Sequence, residues 1–402
     1  MAKPEIRLKG FEGEWKECPF HEVAKPYFVS NKCVHHQNLL SLSYGKIKRK
    51  DINSGKGLLP ASFDTYQVIK DGIIVFRFTD LQNDKKSLRV GLAKEEGIIS
   101  PAYVCVECES ISPEYLFLQL YSYDLRKVFY SMGDGLRQTL SYNDVKDMPI
   151  YVPSDKEQKF IIDYFNSIEA EILSEDRKLA SLKQMKQASL VSMFPQAGET
   201  TPRVRFKGFE GGWVVKKLSS IAKRVTRKNS HLESTLPLTI SAAEGLIEQT
   251  SFFNNVVASS NVSGYYLVKK GEFAYNKSYS NGYPFGAVKR LDRYDKGVLS
   301  TLYIAFSIDE IISSDYIVQF FETSLWHQEV AKRAAEGARN HGLLNISADD
   351  FLDIEISLPN SKDEQQRIAS YFRSLDKQIS LQEQRLVKLK QIKAACLDKM
   401  FV

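Results

Sequence analysis

Pro4-Glu-Ile-Arg-Leu-Lys-Gly-Phe-Glu-Gly-Glu-Trp15 recurs as Pro202-Arg-Val-Arg-Phe-Lys-Gly-Phe-Glu-Gly-Gly-Trp213, 198 residues downstream. The match continues in order at a nearly constant spacing. Tyr66-Gln-Val-Ile-Lys-Asp-Gly72 answers Tyr265-Tyr-Leu-Val-Lys-Lys-Gly271, and Gly97-Ile-Ile-Ser100 answers Gly297-Val-Leu-Ser300. Ser112-Pro-Glu-Tyr115 answers Ser313-Ser-Asp-Tyr316, each with a serine fit to cap a helix and an acid in its first turn. Both halves then close on one segment: Glu157-Gln158, Tyr164-Phe165, Leu182-Lys-Gln184 and Met193-Phe194 reappear 207 residues on as Glu364-Gln365, Tyr371-Phe372, Leu389-Lys-Gln391 and Met400-Phe401. A period of about 200 residues is far beyond the roughly 20–50 of a solenoid unit, so the chain is a tandem duplication of a whole domain with its helix.

Within each half the pattern is mixed. Ile73-Ile-Val-Phe-Arg-Phe78 and Tyr303-Ile-Ala-Phe306 read as strands, while Tyr115-Leu-Phe-Leu-Gln-Leu120 and Tyr316-Ile-Val-Gln-Phe-Phe321 read as buried helix starts. The closing segments have a different period. Ile161, Phe165, Ile168, Ile172, Leu179 and Leu182, with Met193 beyond, step by fours and threes; Ile368, Phe372, Leu375, Ile379, Leu386 and Leu389, with Met400 beyond, repeat that seam. Neither Gly nor Pro interrupts 157–194 or 364–402, and a helix of that length would extend roughly 57 Å, longer than such a domain is wide. The expected architecture is therefore α+β: two tandem globular units separated by two long antiparallel coiled-coil helices with a pseudo-twofold repeat. The expected division is 1–152 for the first globular unit, 153–194 for its helix, 195–201 for a linker, 202–356 for the second unit and 357–402 for the second helix.

Composition limits the function. The 402 residues are 43% hydrophobic and 26% charged, which suits folded cores rather than disorder. Lys and Arg number 55 against 49 Asp and Glu, a net +6, so a polyanion would meet local patches rather than a basic tail. No run approaches the roughly 18 apolar residues of a membrane span and the N-terminus has no apolar signal core, which points to the cytoplasm. Five cysteines fit a reducing compartment. Cys105 and Cys108 form a CxxC, and Cys33 precedes His35 and His36, but no second CxxC completes a zinc spacing; alternation instead spreads residues 103–106 over the two faces of a buried strand. His231, His327 and His341 likewise lack a partnered nucleophile or a third ligand.

Two related domains on a rigid spacer suit two separated half-sites on a duplex, at most about 17 base pairs apart. The local chemistry supplies candidates. Lys46, Lys48, Arg49 and Lys50 cluster after Ser43-Tyr-Gly45; Lys85, Lys86 and Arg89 form a second group, and Arg137 stands alone. In the second half Asn276, Lys277, Tyr279 and Asn281 mix amides, a cation and an aromatic, and Arg339 and Asn340 precede His341. Lys and Arg neutralise phosphates, whereas Arg, Asn, Gln and Lys also read base edges.

The chain resembles the specificity subunit of type I restriction-modification enzymes over nearly its full length. The resemblance rests on Pro153-Ser-Asp-Lys-Glu-Gln158 through Leu179-Ala-Ser-Leu-Lys-Gln-Met185, on Pro359-Asn-Ser-Lys-Asp-Glu-Gln365 through Leu386-Val-Lys-Leu-Lys-Gln-Ile392, and on Leu40-Ser-Leu-Ser-Tyr-Gly45 with Gly97-Ile-Ile-Ser-Pro-Ala-Tyr103. One departure is that Pro153 lies four residues before Glu157 and Pro359 five before Glu364. The resemblance implies a non-catalytic reader of double-stranded DNA with two target-recognition domains, partnered by two modification subunits and by restriction motor-nuclease subunits. It also implies that S-adenosylmethionine, ATP and Mg belong to those partners. The residues agree: there is no Pro-Pro or Asn-Pro dipeptide for a flipped adenine, and Gly55-Lys-Gly57 lacks the rest of a phosphate loop. Two other readings are a stand-alone metal nuclease using Asp80, Asp84, Asp349, Asp350 or Asp353, and a duplicated protein-binding scaffold.

Overall fold

The computed structural model describes residues 3–32, 34–51, 60, 62–79, 81, 88–132, 139–241, 244–252, 261–278, 282–334 and 344–402. The chain forms two compact units, one made of Met1–Arg177 with Gln384–Val402 and the other of Lys178–Glu383. The expected contiguous division is thus replaced by one that cuts both long helices. The physical reason is where their apolar residues go. Ile161 and Phe165 pack in the core of the first unit together with Leu397, Met400 and Phe401 from the far end of the chain. Ile368, Phe372 and Leu375 pack in the core of the second together with Leu190, Met193 and Phe194.

In the first unit the strands are β1 (Lys16–Pro19), β2 (Ala24–Pro26), β3 (Leu40–Ser43), β4 (Lys46–Arg49), β5 (Gln67–Ile69), β6 (Ile74–Phe76), β7 (Val90–Leu92), β8 (Gly97–Ile99), β9 (Val104–Cys108) and β10 (Pro149–Val152). A four-stranded sheet of order β2-β9-β6-β7 is accompanied by the pairs β1-β10, β3-β4 and β5-β8. The second unit contains β11 (Val214–Lys217), β12 (Ala222–Arg224), β13 (Leu238–Ser241), β14 (Gly245–Glu248), β15 (Tyr266–Lys269), β16 (Phe273–Asn276), β17 (Ala287–Arg290), β18 (Lys296–Leu299), β19 (Ile304–Ile308) and β20 (Glu355–Leu358). Its sheet order β12-β19-β16-β17 and its pairs β11-β20, β13-β14 and β15-β18 repeat the first unit strand for strand. All named pairs are antiparallel.

Continuous apolar runs mark the central strands because both faces are covered. Ile74 and Phe76 join Phe20, Tyr115 and Leu120 on one side of β6, and Val75 joins Leu40, Leu42 and Cys105 on the other. A helix at Pro113–Leu125 covers the first of these faces; its counterpart in the second unit is broken into Ser314–Phe320 and Leu325–Arg333. The serine caps differ in the same way. Ser313 Oγ accepts from Tyr316 N, whereas Ser112 makes no such bond and its hydroxyl donates to Glu114.

The long helices span Asp155–Ser192 and Lys362–Lys399, so both start later than residues 153 and 357; Ser357 and Leu358 belong to β20. The later start absorbs the unequal spacing after the prolines, because Glu157 and Glu364 are each the third residue of their helix. Antiparallel pairing is seen inside each unit. Glu169 meets Lys393 at 2.5 Å, Glu171 meets Arg385 at 3.1 Å and Asp176 meets Lys390 at 3.7 Å in the first. Lys183 meets Glu383 and Lys186 meets Asp376, both at 2.6 Å, in the second. The seam is not buried evenly: Ile161, Phe165, Ile168, Ile172, Ile368, Phe372, Leu375 and Leu386 are buried, while Leu179, Leu182, Ile379 and Leu389 are half-buried. Among the described residues no helix is long and apolar enough to cross a membrane.

Candidate nucleic-acid interface

The two most repeated motifs of the chain bind each other. Arg7 donates from Nε and from one terminal nitrogen to the two carboxylate oxygens of Glu157, at 2.7 and 2.8 Å, and from its other nitrogen to Gly13 O at 2.6 Å. Arg205 repeats this on Glu364, at 2.7 and 2.8 Å, and on Gly211 O at 2.7 Å. Both glutamates are almost fully buried, so each is held by a two-point fork that matches the carboxylate plane. The neighbouring glutamines complete the pin. Gln158 accepts from Ser112 N and donates to Pro153 O; Gln365 accepts from Ser313 N and donates to Pro359 O. In the sequence the Glu-Gln pair reads only as a helix landmark. The signal for its role is present all the same, since the Arg and the Glu each stand in a stretch that recurs.

On this chassis the surface residues differ. β3 and β4 form a hairpin in which Ser41 faces Lys48 and Leu40 faces Arg49. Its two turn residues, Tyr44 and Gly45, both have positive φ, at 49° and 73°, as a tight hairpin turn requires. The underside, Leu42 and Ile47, seats on Gly91 of β7 so closely that a Cβ there would lie 2.5 Å from Leu42. Tyr44, Lys46, Lys48 and Arg49 are all exposed, Arg49 at the end of β4 on the face it shares with Leu40, with Lys50 half-buried beside it. The structure therefore brings this candidate group together. Lys46 lies 3.4 Å from Glu169, and Arg49 donates to Glu95 at 2.7 Å, while Lys48 has no ion pair among the described residues.

Arg89 is a correction. It is not part of a surface loop: the residue is fully buried, its backbone N–H is held by the Asp124 carboxylate, and its side chain donates to Thr79 O at 2.9 Å and to Tyr130 Oη at 3.3 Å. Burial pushes the Asp124 carboxyl up to about 6, against the opposing pull of the Arg89 and Val90 amides. Arg89 is thus a core group of the first unit, inaccessible to a duplex.

In the second unit Asn276 ends β16 and Lys277 follows it. Asn276 Oδ1 accepts from Ser278 N at 3.0 Å, and the Lys277 ammonium turns onto Ile346 O at 3.4 Å. Lys85, Lys86, Arg137, Tyr279, Asn281, Arg339 and Asn340 lie outside the described residues, as do Gly55-Lys-Gly57, Cys33, Asp80, Asp84 and His341.

The residues weighed for metal chemistry have other partners. Cys105 packs with Leu40 and Leu42 on one face of β9, and Cys108 packs with the core on the other, so the two thiols cannot close on one ion. Burial pushes both thiols up to about 12, which keeps them protonated. Asp350 accepts from the Ser347 hydroxyl at 2.6 Å and Asp353 pairs with Lys217 at 2.7 Å. No cluster of metal-ligating side chains is found among the described residues.

Comparison with known proteins defines the class. Residues 211–391 match the family described as type I restriction modification DNA specificity domain. That span covers most of the second repeat and of its helix, and residues before it carry the same motifs and strand pairing. Residues 211–391 are thus similar to the DNA specificity domain of type I restriction-modification systems, and the first repeat shares their strand pairing. The solved S subunit of the type I restriction-modification system from M. genitalium has the same fold, with a TM-score of 0.55 at 13% identity over 100% of this chain and 99% of that one. A chain from a structure on complex assembly and conformational transition of the type I R-M system gives 0.53 at 16% identity, over 96% and 97%. No curated protein matches the sequence.

Proposed function

We propose that this chain is the DNA-reading subunit of a type I restriction-modification complex, in which each repeat reads one half of a bipartite double-stranded site. The observation that carries the reading is the repetition of one strand order and one Arg–Glu pin beneath different surface residues. A shared chassis with two surfaces is what reading two unlike half-sites requires. The unbroken 38-residue helices set the half-site spacing and dock two modification subunits, and restriction motor-nuclease subunits join the assembly for cleavage. S-adenosylmethionine, ATP and Mg act on those partners rather than on this chain, and the complex works in the cytoplasm.

The test is to express the chain with its modification subunits in a methylation-free host and map the modified bases. A bipartite motif with a fixed central gap is expected. Replacing residues 1–152 by a different recognition domain should change one half of the motif and leave the other. A change in both halves, or modification at a continuous site, would sink the modular reading.

A further inference from the structure

One half-buried arginine in the first unit has no acceptor among the described residues. The half-buried arginines are Arg7, Arg77, Arg205, Arg227, Arg290 and Arg333. Five of them sit on carboxylates: Glu157, Glu364, Glu272, Asp315 and Glu329 respectively serve Arg7, Arg205, Arg227, Arg290 and Arg333, at 2.6 to 2.9 Å. The Arg77 guanidinium meets no hydrogen-bond or ion-pair partner among the described residues, although its backbone N–H is fixed on Arg89 O at 2.8 Å. Withdrawing a guanidinium partly from water without an acceptor costs free energy, and an incoming acceptor would recover it.

The place of Arg77 in the fold says what kind of acceptor fits. It stands between Phe76 and Phe78, both buried on the helix side of the sheet. Strand alternation therefore turns it to the opposite side, where the basic hairpin β3-β4 packs. The second unit has a residue in the same register. Ile74 pairs with Leu92 as Phe273 pairs with Arg290, so Arg77 opposite Arg89 corresponds to Asn276 opposite Ala287. Asn276 also lies on the hairpin side, with Ala274 and Ala287. Its Oδ1 is oriented by Ser278 N, and its Nδ2 has no acceptor among the described residues.

A phosphate is the same in both half-sites and gives no reason for the side chain to differ between the units. Arg in one slot and Asn in the other instead match the two side chains whose planar ends pair with the major-groove edges of guanine and of adenine. We propose that Arg77 and Asn276 occupy equivalent base-reading slots, Arg77 taking a guanine in one half-site and Asn276 an adenine in the other. This rests on the DNA-reading function proposed above.

The experiment is enrichment from a randomised double-stranded DNA library by the full chain in complex with its modification subunits. R77Q, R77K and N276A are compared with the unaltered chain. The unaltered protein is expected to enrich a bipartite motif with a G·C pair whose preference falls about 10- to 100-fold in R77Q, at that position alone. R77K, which retains charge but loses the planar fork, lowers the same preference by less and decides the question should R77Q not fold. N276A relaxes one A·T position in the opposite half. Motifs unchanged in all three variants overturn the proposal. A uniform loss over all sequences, with the salt slope shallower by about 0.9, also overturns it, because that is the signature of a phosphate contact. If the unaltered chain enriches no bipartite motif, the DNA-reading function itself falls.

Discussion

At one place in two folds of the same strand order, the hairpin β3-β4 carries Lys46, Lys48 and Arg49, and the hairpin β13-β14 carries Gly245, Ile247 and Glu248. The pairing is alike in length and register: Leu40 faces Arg49 as Leu238 faces Glu248. The undersides are alike in chemistry too, with Leu40 and Leu42 buried in one and Leu238 and Ile240 in the other. The difference lies at the basic positions, where Lys46, Lys48 and Arg49 are replaced by Gly245, the buried Ile247 and Glu248. Two constraints have acted separately on one element. Packing onto the sheet dictates the inner leucines and isoleucines in both units, while the charged positions of the first hairpin have no charged counterpart of the same sign in the second.

The comparison breaks most severely if the Arg–Glu pin of each unit is removed. Arg7→Ala leaves the buried Glu157 carboxylate without its fork, and Arg205→Ala does the same to Glu364. Each is expected to cost about 3–5 kcal/mol, since the desolvation of a buried charge stranded by loss of its partner is no longer offset. Matching geometry, at 2.7 and 2.8 Å in both, predicts nearly equal losses. Denaturant unfolding of the full chain, read by hydrogen exchange at the first turn of each long helix, measures them. A loss in one unit only would show that the pins are alike in geometry but not in energetic role.

A smaller effect should separate the hairpins. Replacing Lys46, Lys48, Arg49 and Lys50 together by Gln is expected to weaken binding of a full duplex site by about 30-fold or more. The dependence of log K on log salt should become shallower by about 0.9 for each phosphate that is no longer neutralised. Lys46 and Arg49 already hold Glu169 and Glu95, so Lys48 should account for the largest single share. Glu248→Gln at the matching place in the second unit should change affinity less than about twofold. Equal losses from the two hairpins, measured by fluorescence anisotropy across a salt series, would erase the distinction between them.

Much of this frame is legible in the sequence because it is written twice. The Gly-Phe-Glu-Gly motif locates the repeat, and uninterrupted heptad residues from Ile161 and Ile368 locate the helices. What cannot be read there is long-range. Arg7 and Glu157 are 150 residues apart, and nothing local in either stretch says that they meet. The sharing of both helices between the units is hidden for a related reason: Phe194 and Phe401 look like helix ends, yet each packs against a seam phenylalanine near the start of the other helix, Phe372 and Phe165. Arg89 misleads because Lys85 and Lys86 precede it closely, which is how a surface loop is written. Its burial depends on Asp124 and Tyr130, contributed 35 and 41 residues later.

That Arg89 cluster gives the finest test, because it belongs to the first unit: Ala287 stands in the register place of Arg89 in the second. The Asp124 carboxyl is pushed up to about 6 in the fold by burial, above the roughly 3.9 of an unfolded chain. Between those values the folded state holds the proton and the unfolded state does not. Stability therefore falls as pH rises from about 4 to about 6, by at most about 1.4 kcal/mol per pH unit, and levels off above. Asp124→Asn should remove this dependence while still accepting from the Arg89 and Val90 amides. The unfolding free energy of the unaltered chain minus that of the variant should slope downward across this window and be flat above it. A difference that is flat throughout would mean that Asp124 stays ionised beside the Arg89 guanidinium, and that the two form a buried ion pair rather than a carboxyl poised to lose its proton.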